Sequence, residues 1–325
     1  MSRDFGTIRI ETDRDDYTGG DIISGKVVID LNAAVLCRGV HLQFKGEETT
    51  YWTTGSGKSR TTHTETINRG EYNQLLFGKE ALGTMAVMAD AVKGIFSKSH
   101  YETFEAGHYE YDFSFSLMSQ APGDYESGDP AYYSGSRIRY EIMAYVDIPI
   151  GADLSETKML SIFECFDLPE EESVERTAIK SFMMDSSNPL YLNVTVDNNQ
   201  YYPGDVVTGK IEVDNRSSKE VTEMTVSLNQ RRNMRAHRST IERTDMKLMT
   251  TITNPVISQS VATSFDFEFK IPDDTYCTIL NSRILKVNYF VNVNIDIPWA
   301  IDLDVDVPIL VLEEEGLPSG SKQKK

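Results

Sequence analysis

Tyr201-Tyr202-Pro203-Gly204-Asp205-Val206-Val207-Thr208-Gly209-Lys210-Ile211-Glu212-Val213-Asp214 is the stretch from which the fold can be read, because residues 17–30 are a near copy of it, 184 positions earlier. Pro203-Gly204-Asp205 reads as a turn: proline presets φ and glycine permits positive φ. Gly19-Gly20-Asp21 fills the same role in the first copy. The apolar residues that follow alternate as in a strand entering a sheet. Two further blocks recur in the same order. Tyr111, Phe113, Phe115 and Leu117 alternate with polar residues, as do Phe265, Phe267, Phe269 and Ile271. Residues 138–149 end in Val-Asp-Ile-Pro, and residues 287–298 end in Ile-Asp-Ile-Pro. Three matched blocks in matched order predict two domains of one fold, each built from strands.

Composition narrows the function classes. A chain of 325 residues suits about two domains, each with its own core. Residues 1–10 carry Arg3, Asp4 and Arg9 and no long apolar run, which predicts no secretory signal. No apolar stretch reaches the roughly 18 residues of a spanning helix, so a soluble, cytoplasmic chain is expected. Cys37, Cys165 and Cys277 lie far apart without a Cys-x-x-Cys, as free thiols do in a reducing compartment. The net charge of −18 argues against nucleic-acid binding, which needs Lys and Arg to neutralise phosphates.

Working along the chain, Ile8 and Ile10, then Val27, Ile29 and Leu31, then Leu42 and Phe44 alternate as one-face-buried strands. Residues 47–68 read as a hairpin with a polar tip at Gly55-Ser56-Gly57. Residues 81–96 alone look helical: Leu82, Met85, Ala86, Ala89, Val92 and Phe96 share a helical face. The segment is apolar nearly all round, so Leu82, Met85, Val92 and Phe96 are candidates for contact with a membrane or partner; packing on the first domain is the structural alternative. Strands are expected over residues 109–117, 137–148 and 159–166. Domain one is then residues 1–166, followed by a polar linker at 167–188. A second domain at 189–312 opens with alternating Leu190, Leu192, Val194 and Val196, and closes with Ile301, Leu303, Val305, Val307 and Ile309. Residues 313–325 read as a disordered tail. Asn188-Pro189-Leu190-Tyr191 matches an Asn-Pro-x-Tyr sorting pattern, but it stands at the mouth of a strand and reads as structural.

No catalytic constellation emerges. The five histidines show no metal-ligand spacing, and no nucleophile elbow or phosphate-cradling loop occurs. Gly25-Lys26 and Gly209-Lys210 precede strands and read as turns, so neither enzyme activity, cofactor nor metal is expected.

The ordered pattern resembles the arrestin family. It consists of the two Pro/Gly-Gly-Asp-x-x-Ser/Thr-Gly-Lys turns, Gly46 with Thr50 and Trp52, residues 106–115 (Ala-Gly-His-Tyr-Glu-Tyr-Asp-Phe-Ser-Phe), Ser136-Arg137-Ile138-Arg139-Tyr140, and Phe166-Asp167-Leu168. Among arrestins it most resembles the α-arrestins. The resemblance implies an all-β architecture: two tandem immunoglobulin-like antiparallel sandwiches with at most one short helix, in the first domain. It implies a non-enzymatic cytoplasmic adaptor, peripheral to the plasma membrane or endosomes, that binds cytoplasmic segments of membrane proteins in endocytosis or endosomal trafficking. A ubiquitin ligase or coat subunits are further implied partners, and the alternative role is a structural coat subunit like the arrestin-like retromer component. Exposed sheet edges of such sandwiches also suit strand addition by an extended peptide.

Some arrestins bind phosphoinositide through a basic patch on the second domain. Arg231, Arg232, Arg235 and Arg238 lie in a similar position and are the candidate anion, phosphoinositide or phosphopeptide site; the alternative is a solvated strand end paired with Glu242 and Asp245. At about 1 kcal/mol per arginine near an anionic surface, four would contribute roughly 4 kcal/mol, a weak and reversible contact. Two family features are missing. No Pro-Pro-x-Tyr occurs for ligase WW domains, and residues 158–166 and 313–325 lack the arginines of a phosphate-sensitive polar core.

Overall fold

The computed structural model describes residues 5–78, 101–129, 134–149, 152–165, 168–183, 185–252 and 256–313. The described chain divides into two compact units, one of residues 5–53 and 66–165, the other of residues 54–65 and 168–313. Strands of the first half are β1 (Gly6–Thr12), β2 (Asp16–Thr18), β3 (Ile22–Leu31), β4 (Val35–Cys37), β5 (Gly39–Thr54), β6 (Thr61–Gly78), β7 (Glu102–Phe104), β8 (Gly107–Ser116), β9 (Tyr125–Asp129), β10 (Ser134–Asp147) and β11 (Leu154–Phe163). The second half contributes β12 (Val174–Phe182), β13 (Asp185–Val196), β14 (Gln200–Tyr201), β15 (Val206–Asn215), β16 (Glu223–Ala236), β17 (Ser239–Thr251), β18 (Val261–Lys270), β19 (Leu285–Asp296) and β20 (Leu303–Val311). Among the described residues the helical content is a single 3-10 turn, Gly57–Ser59, at the polar tip of the β5–β6 hairpin.

Each unit is a two-sheet sandwich, and the sheets correspond except that β12 of the second unit has no partner strand in the first. The first unit stacks β1-β3-β8 on β2-β11-β10-β5-β6, with β9 pairing β10 and a small β4-β7 ribbon. The second stacks β12-β13-β15-β18 on β14-β20-β19-β16-β17. The small parallel pairings β2–β11 and β14–β20 recur as well. Alternation fixes the faces. Ile138, Tyr140, Ile142, Ala144, Val146 and Ile148 are buried in the first core, and Val287, Tyr289, Val291, Val293, Ile295 and Ile297 in the second.

The repeated turn has the same geometry in both copies. Gly20 and Gly204 have φ of 95° and 96°, and the amides of Thr18 and Tyr202 donate to the carboxylates of Asp21 and Asp205. The glycine of each Gly-Lys pair is required by close packing. A Cβ on Gly25 would stand 2.1 Å from the Glu11 carbonyl oxygen and 2.8 Å from the Phe113 ring. One on Gly209 would stand 2.3 Å from the Thr195 oxygen and 2.5 Å from the Phe267 ring. Tyr140 donates its hydroxyl to the Pro122 carbonyl at 2.8 Å, and the corresponding Tyr289 donates to the Tyr276 carbonyl at 2.6 Å.

The sequence expectation needs correction in three places. Residues 167–188 are not simply a polar linker: β12 occupies 174–182 and pairs antiparallel with β13. Its periodicity is hidden because the residues opposite buried Val196, Val194, Leu192 and Leu190 are Val174, Arg176, Ala178 and Lys180, two of them charged. The strand expected over 159–166 runs instead from Leu154 to Phe163. Ile301, expected in the closing strand, precedes it and is 84% exposed. The helical reading of residues 81–96 lies outside the described residues.

Candidate interaction surfaces

The four arginines do not converge. Strand period two sends Arg231 and Arg235 to the outer face of β16 and Arg232 to the inner face, while Arg238 sits in the two-residue turn between paired Ala236 and Ser239. Arg231 lies 2.9 Å from Asp306 and 3.5 Å from Glu242, with its guanidinium 4.4 Å from the centre of the Phe290 ring. Arg232 is 4% exposed and 2.6 Å from Asp245. Arg235 is half-exposed and 4.0 Å from Glu65. Arg238 is exposed. Two arginines therefore stay presented to solvent, and the electrostatic attraction falls to about 2 kcal/mol. The candidates Leu82, Met85, Val92 and Phe96 lie outside the described residues. Asn188-Pro189-Leu190-Tyr191 is part of β13 with Leu190 buried, and Arg216 stacks 4.9 Å from the Tyr191 ring centre.

A feature the sequence reading missed lies at one end of the second unit. Trp299 is fully exposed in the turn after β19, at φ 63°, and the Ala300 amide closes that turn onto the Ile297 carbonyl at 3.0 Å. Ile301 and Met183 are also exposed, and the Lys180 ammonium donates to the Ile301 carbonyl, linking this turn to the end of β12. An aromatic directly after the repeated Ile-Asp-Ile-Pro block was the available signal.

The second missed feature is a difference between the copies. In the second unit β12 lies on the outer edge of β13 and also contacts β20. In the first unit β1 takes the place of β13, and among the described residues no strand pairs with its outer edge. The Asp13 amide donates to the Ser24 carbonyl and the Asn32 amide to the Phe5 carbonyl. By antiparallel alternation the odd-numbered residues of β1 thus bond to β3, which directs the amides of Ile8, Ile10 and Thr12 toward the open edge. The strand facing that edge, β11, differs accordingly. Leu154, Glu156, Lys158 and Leu160 pair with inward-facing residues of β10 just as Leu303, Val305, Val307 and Ile309 pair with those of β19. Where β12 covers the cleft, Val305 and Val307 are buried; where the edge is open, the equivalents are exposed Glu156 and half-buried Lys158. Comparing the two copies position by position would have revealed this.

The described residues contain no cluster of His, Cys, Asp and Glu able to hold a metal, and none of their helices is long and apolar enough to cross a membrane. Cys37 is buried and Cys165 exposed, without a disulfide, and burial raises the Cys37 thiol pKa.

Comparison with known proteins agrees with this architecture. Residues 6–169 match the N-terminal domain of arrestin (or S-antigen), and residues 186–315 match its C-terminal domain. Arrestin domain-containing protein A of Dictyostelium discoideum is 26% identical over 96% of this chain and 52% of its own length. Arrestin domain-containing protein C of the same organism is 21% identical over 92% of this chain and 44% of its own. Arrestin domain-containing protein 17 of Caenorhabditis elegans is 26% identical over 63% and 46%. The chain thus spans about half the length of these relatives. With both domain models matched in order on two corresponding sandwiches, the chain belongs to the arrestin family.

Proposed function

We propose that this arrestin-family protein is a non-enzymatic adaptor that binds cytoplasmic segments of membrane proteins during endocytosis or endosomal trafficking. The observation that carries the reading is the open edge of β1, whose counterpart in the second unit is filled by β12. The fold thus supplies its own example of an added strand on this scaffold. An extended cytoplasmic segment adding to β1 would gain main-chain hydrogen bonds from Ile8, Ile10 and Thr12, the usual basis of affinity in strand addition. Exposed Trp299 and Ile301, two residues apart at the turn after β19, offer an apolar tip suited to the interfacial zone of a bilayer, where aromatic side chains partition. Peripheral association with the plasma membrane or endosomes follows from that reading.

The test is a photo-crosslinking amino acid placed at exposed Thr7 on β1, with mass spectrometry of the adducts formed in cells. Adducts on cytoplasmic segments of membrane proteins, in substoichiometric amounts, are expected. Adducts confined to soluble coat subunits at fixed stoichiometry would sink the adaptor reading in favour of a structural coat role.

A further inference from the structure

Three successive amide side chains in the second unit hold an acidic stretch of chain in place. Asn198 Nδ2 lies 3.5 Å from the Glu171 carboxylate, Asn199 Nδ2 donates to the Glu170 carbonyl at 3.0 Å, and Gln200 Nε2 donates to the Pro169 carbonyl at 2.7 Å. The Leu310 amide donates to the Asn199 carbonyl at 2.8 Å, which ties the same segment to β20. Between this stretch, the start of β12 and the β19–β20 pair lies a cavity of about 390 Å³, within the usual range of about 300–1,000 Å³ for a ligand site. Its lining is partly apolar: Tyr289 and Ile309 are buried, Val174 and Leu310 are half-buried, and Pro169 and Pro308 are exposed at its rim.

Asn199 lines the same cavity and is 9% exposed. With Nδ2 committed to Glu170, its Oδ1 is buried and accepts no hydrogen bond. A carbonyl oxygen in that condition keeps the whole cost of its desolvation until a donor reaches it, and native interiors hold few of them. The Tyr289 hydroxyl does not serve, since it donates to the Tyr276 carbonyl.

The charges select the same kind of ligand. Glu172 and Glu175 line the cavity and are exposed, Glu170 and Glu171 adjoin it, and no described cation lies within ion-pair distance of any of the four. Arg176, the cation of the described lining, is exposed; its Nη1 donates to the Glu175 carbonyl at 2.8 Å, and Asn199 Oδ1 is left without a donor. An anion would meet carboxylates and an acceptor, and an apolar group would leave both unanswered. A guanidinium meets each requirement. Its N–H groups form a rigid fork that can serve an amide oxygen and a carboxylate together, while the methylene stem covers apolar surface. The compact, strongly hydrated ammonium of lysine has no such fork.

We propose, independently of the β1 edge, that this cavity of the second unit receives the guanidinium of an arginine presented by a partner protein, with Asn199 Oδ1 and the carboxylates of Glu172 and Glu175 as its acceptors. Free arginine carries an α-carboxylate that would come to lie among these glutamates, whereas an arginine within a chain has none.

The experiment uses the full chain and ligand-observed saturation-transfer NMR, with N-acetyl-arginine amide, N-acetyl-citrulline amide and free arginine as probes. The arginine amide should bind saturably and weaken as salt is raised. The citrulline amide, of similar shape without the charge, should bind about fivefold to tenfold more weakly. Glu172→Gln combined with Glu175→Gln should weaken the arginine amide about threefold to tenfold, as two exposed ion pairs would. Asn199→Leu should weaken it as well; if that variant fails to fold, the exposed glutamates still provide the test. Equal binding of the arginine and citrulline amides, unchanged binding by the double glutamine variant, or no saturable binding would overturn the assignment. Free arginine binding as tightly as the amide would overturn the protein-borne source and assign the cavity to a small guanidine. None of these results alters the adducts expected at Thr7, so the adaptor reading stands or falls separately.

Discussion

Arg232 and Asp245 form an ion pair at 2.6 Å across the β16–β17 ladder, with the arginine 4% exposed on the inner face of the second sandwich. Its charge is structural, although in sequence it lies next to Arg231 and three residues before Arg235. Removing one partner of a buried pair leaves an uncompensated charge, at a typical cost of several kcal/mol. Asp245 is 40% exposed, so water offsets part of that cost. Arg232→Ala should destabilise the second unit by about 2 kcal/mol in urea denaturation. Arg235→Ala and Arg238→Ala should leave the midpoint unchanged. Any loss of anionic-vesicle binding that tracks Arg232 alone would then reflect unfolding.

The duplicated glycines make a matched test. An alanine Cβ at Gly25 or Gly209 meets a carbonyl oxygen and a phenylalanine ring at once, so backbone has to move. Each Gly→Ala variant should lose about 2–3 kcal/mol, at the upper end of overpacking costs. Calorimetry that resolves the two units should place each loss in the unit that carries the substitution.

Tyr140→Phe should cost about 1–2 kcal/mol, because it removes the hydroxyl donated to the Pro122 carbonyl and leaves a buried acceptor without that partner. Burial already pushes the phenol pKa upward, so the side chain stays neutral and keeps its donor through the physiological range. A midpoint equal to that of the unaltered protein would show that water replaces the bond without loss.

Two histidines should titrate on opposite sides of the usual histidine value of about 6.5. His108 is held by Asp30 at 2.6 Å and Glu110 at 3.3 Å, and hydrogen bonding to those carboxylates raises its pKa. His41 is stacked on Tyr145, and burial lowers its pKa. Because the folded value of His108 is raised, its pairing contributes fully below about pH 6.5 and is lost as pH rises through the folded pKa. Proton NMR should find one midpoint above and one below the reference. His108→Gln should remove the upper one and its pH-dependent contribution.

The two tryptophans report on opposite environments. Trp52 is 1% exposed in the first core, whereas Trp299 is fully exposed. Acrylamide should quench only the Trp299 emission, and bilayer contact should shift that emission to the blue. Vesicle binding unaffected by Trp299→Ala would remove the apolar tip from the membrane-contact assignment.

Much of this fold is legible from local pattern. The turn at Pro203-Gly204-Asp205, the Gly-Lys pairs and the alternation of residues 138–148 and 287–297 each depend on φ preference and strand period, which are properties of short segments. Their recurrence in order was enough to define two related all-β units. β12 was not legible because its inward face mixes Val174 and Ala178 with Arg176 and Lys180, so burial by a neighbouring strand leaves no apolar rhythm. The arginine run was legible only in part: pairing with Glu242 and Asp245 was one of its two readings, but closeness along a strand places neighbours on opposite faces, and the packed sheets show that Arg232 is the one enclosed.

By itself the sequence determined the strands, the duplication and the family resemblance, because turn chemistry and period two act within a few residues. Tertiary structure alone decided which edge is covered and which is open. That depends on pairings between segments distant in the chain, and so it fixed β12 on β13, left β1 with outward amides, and distinguished Glu156 from its covered counterpart Val305.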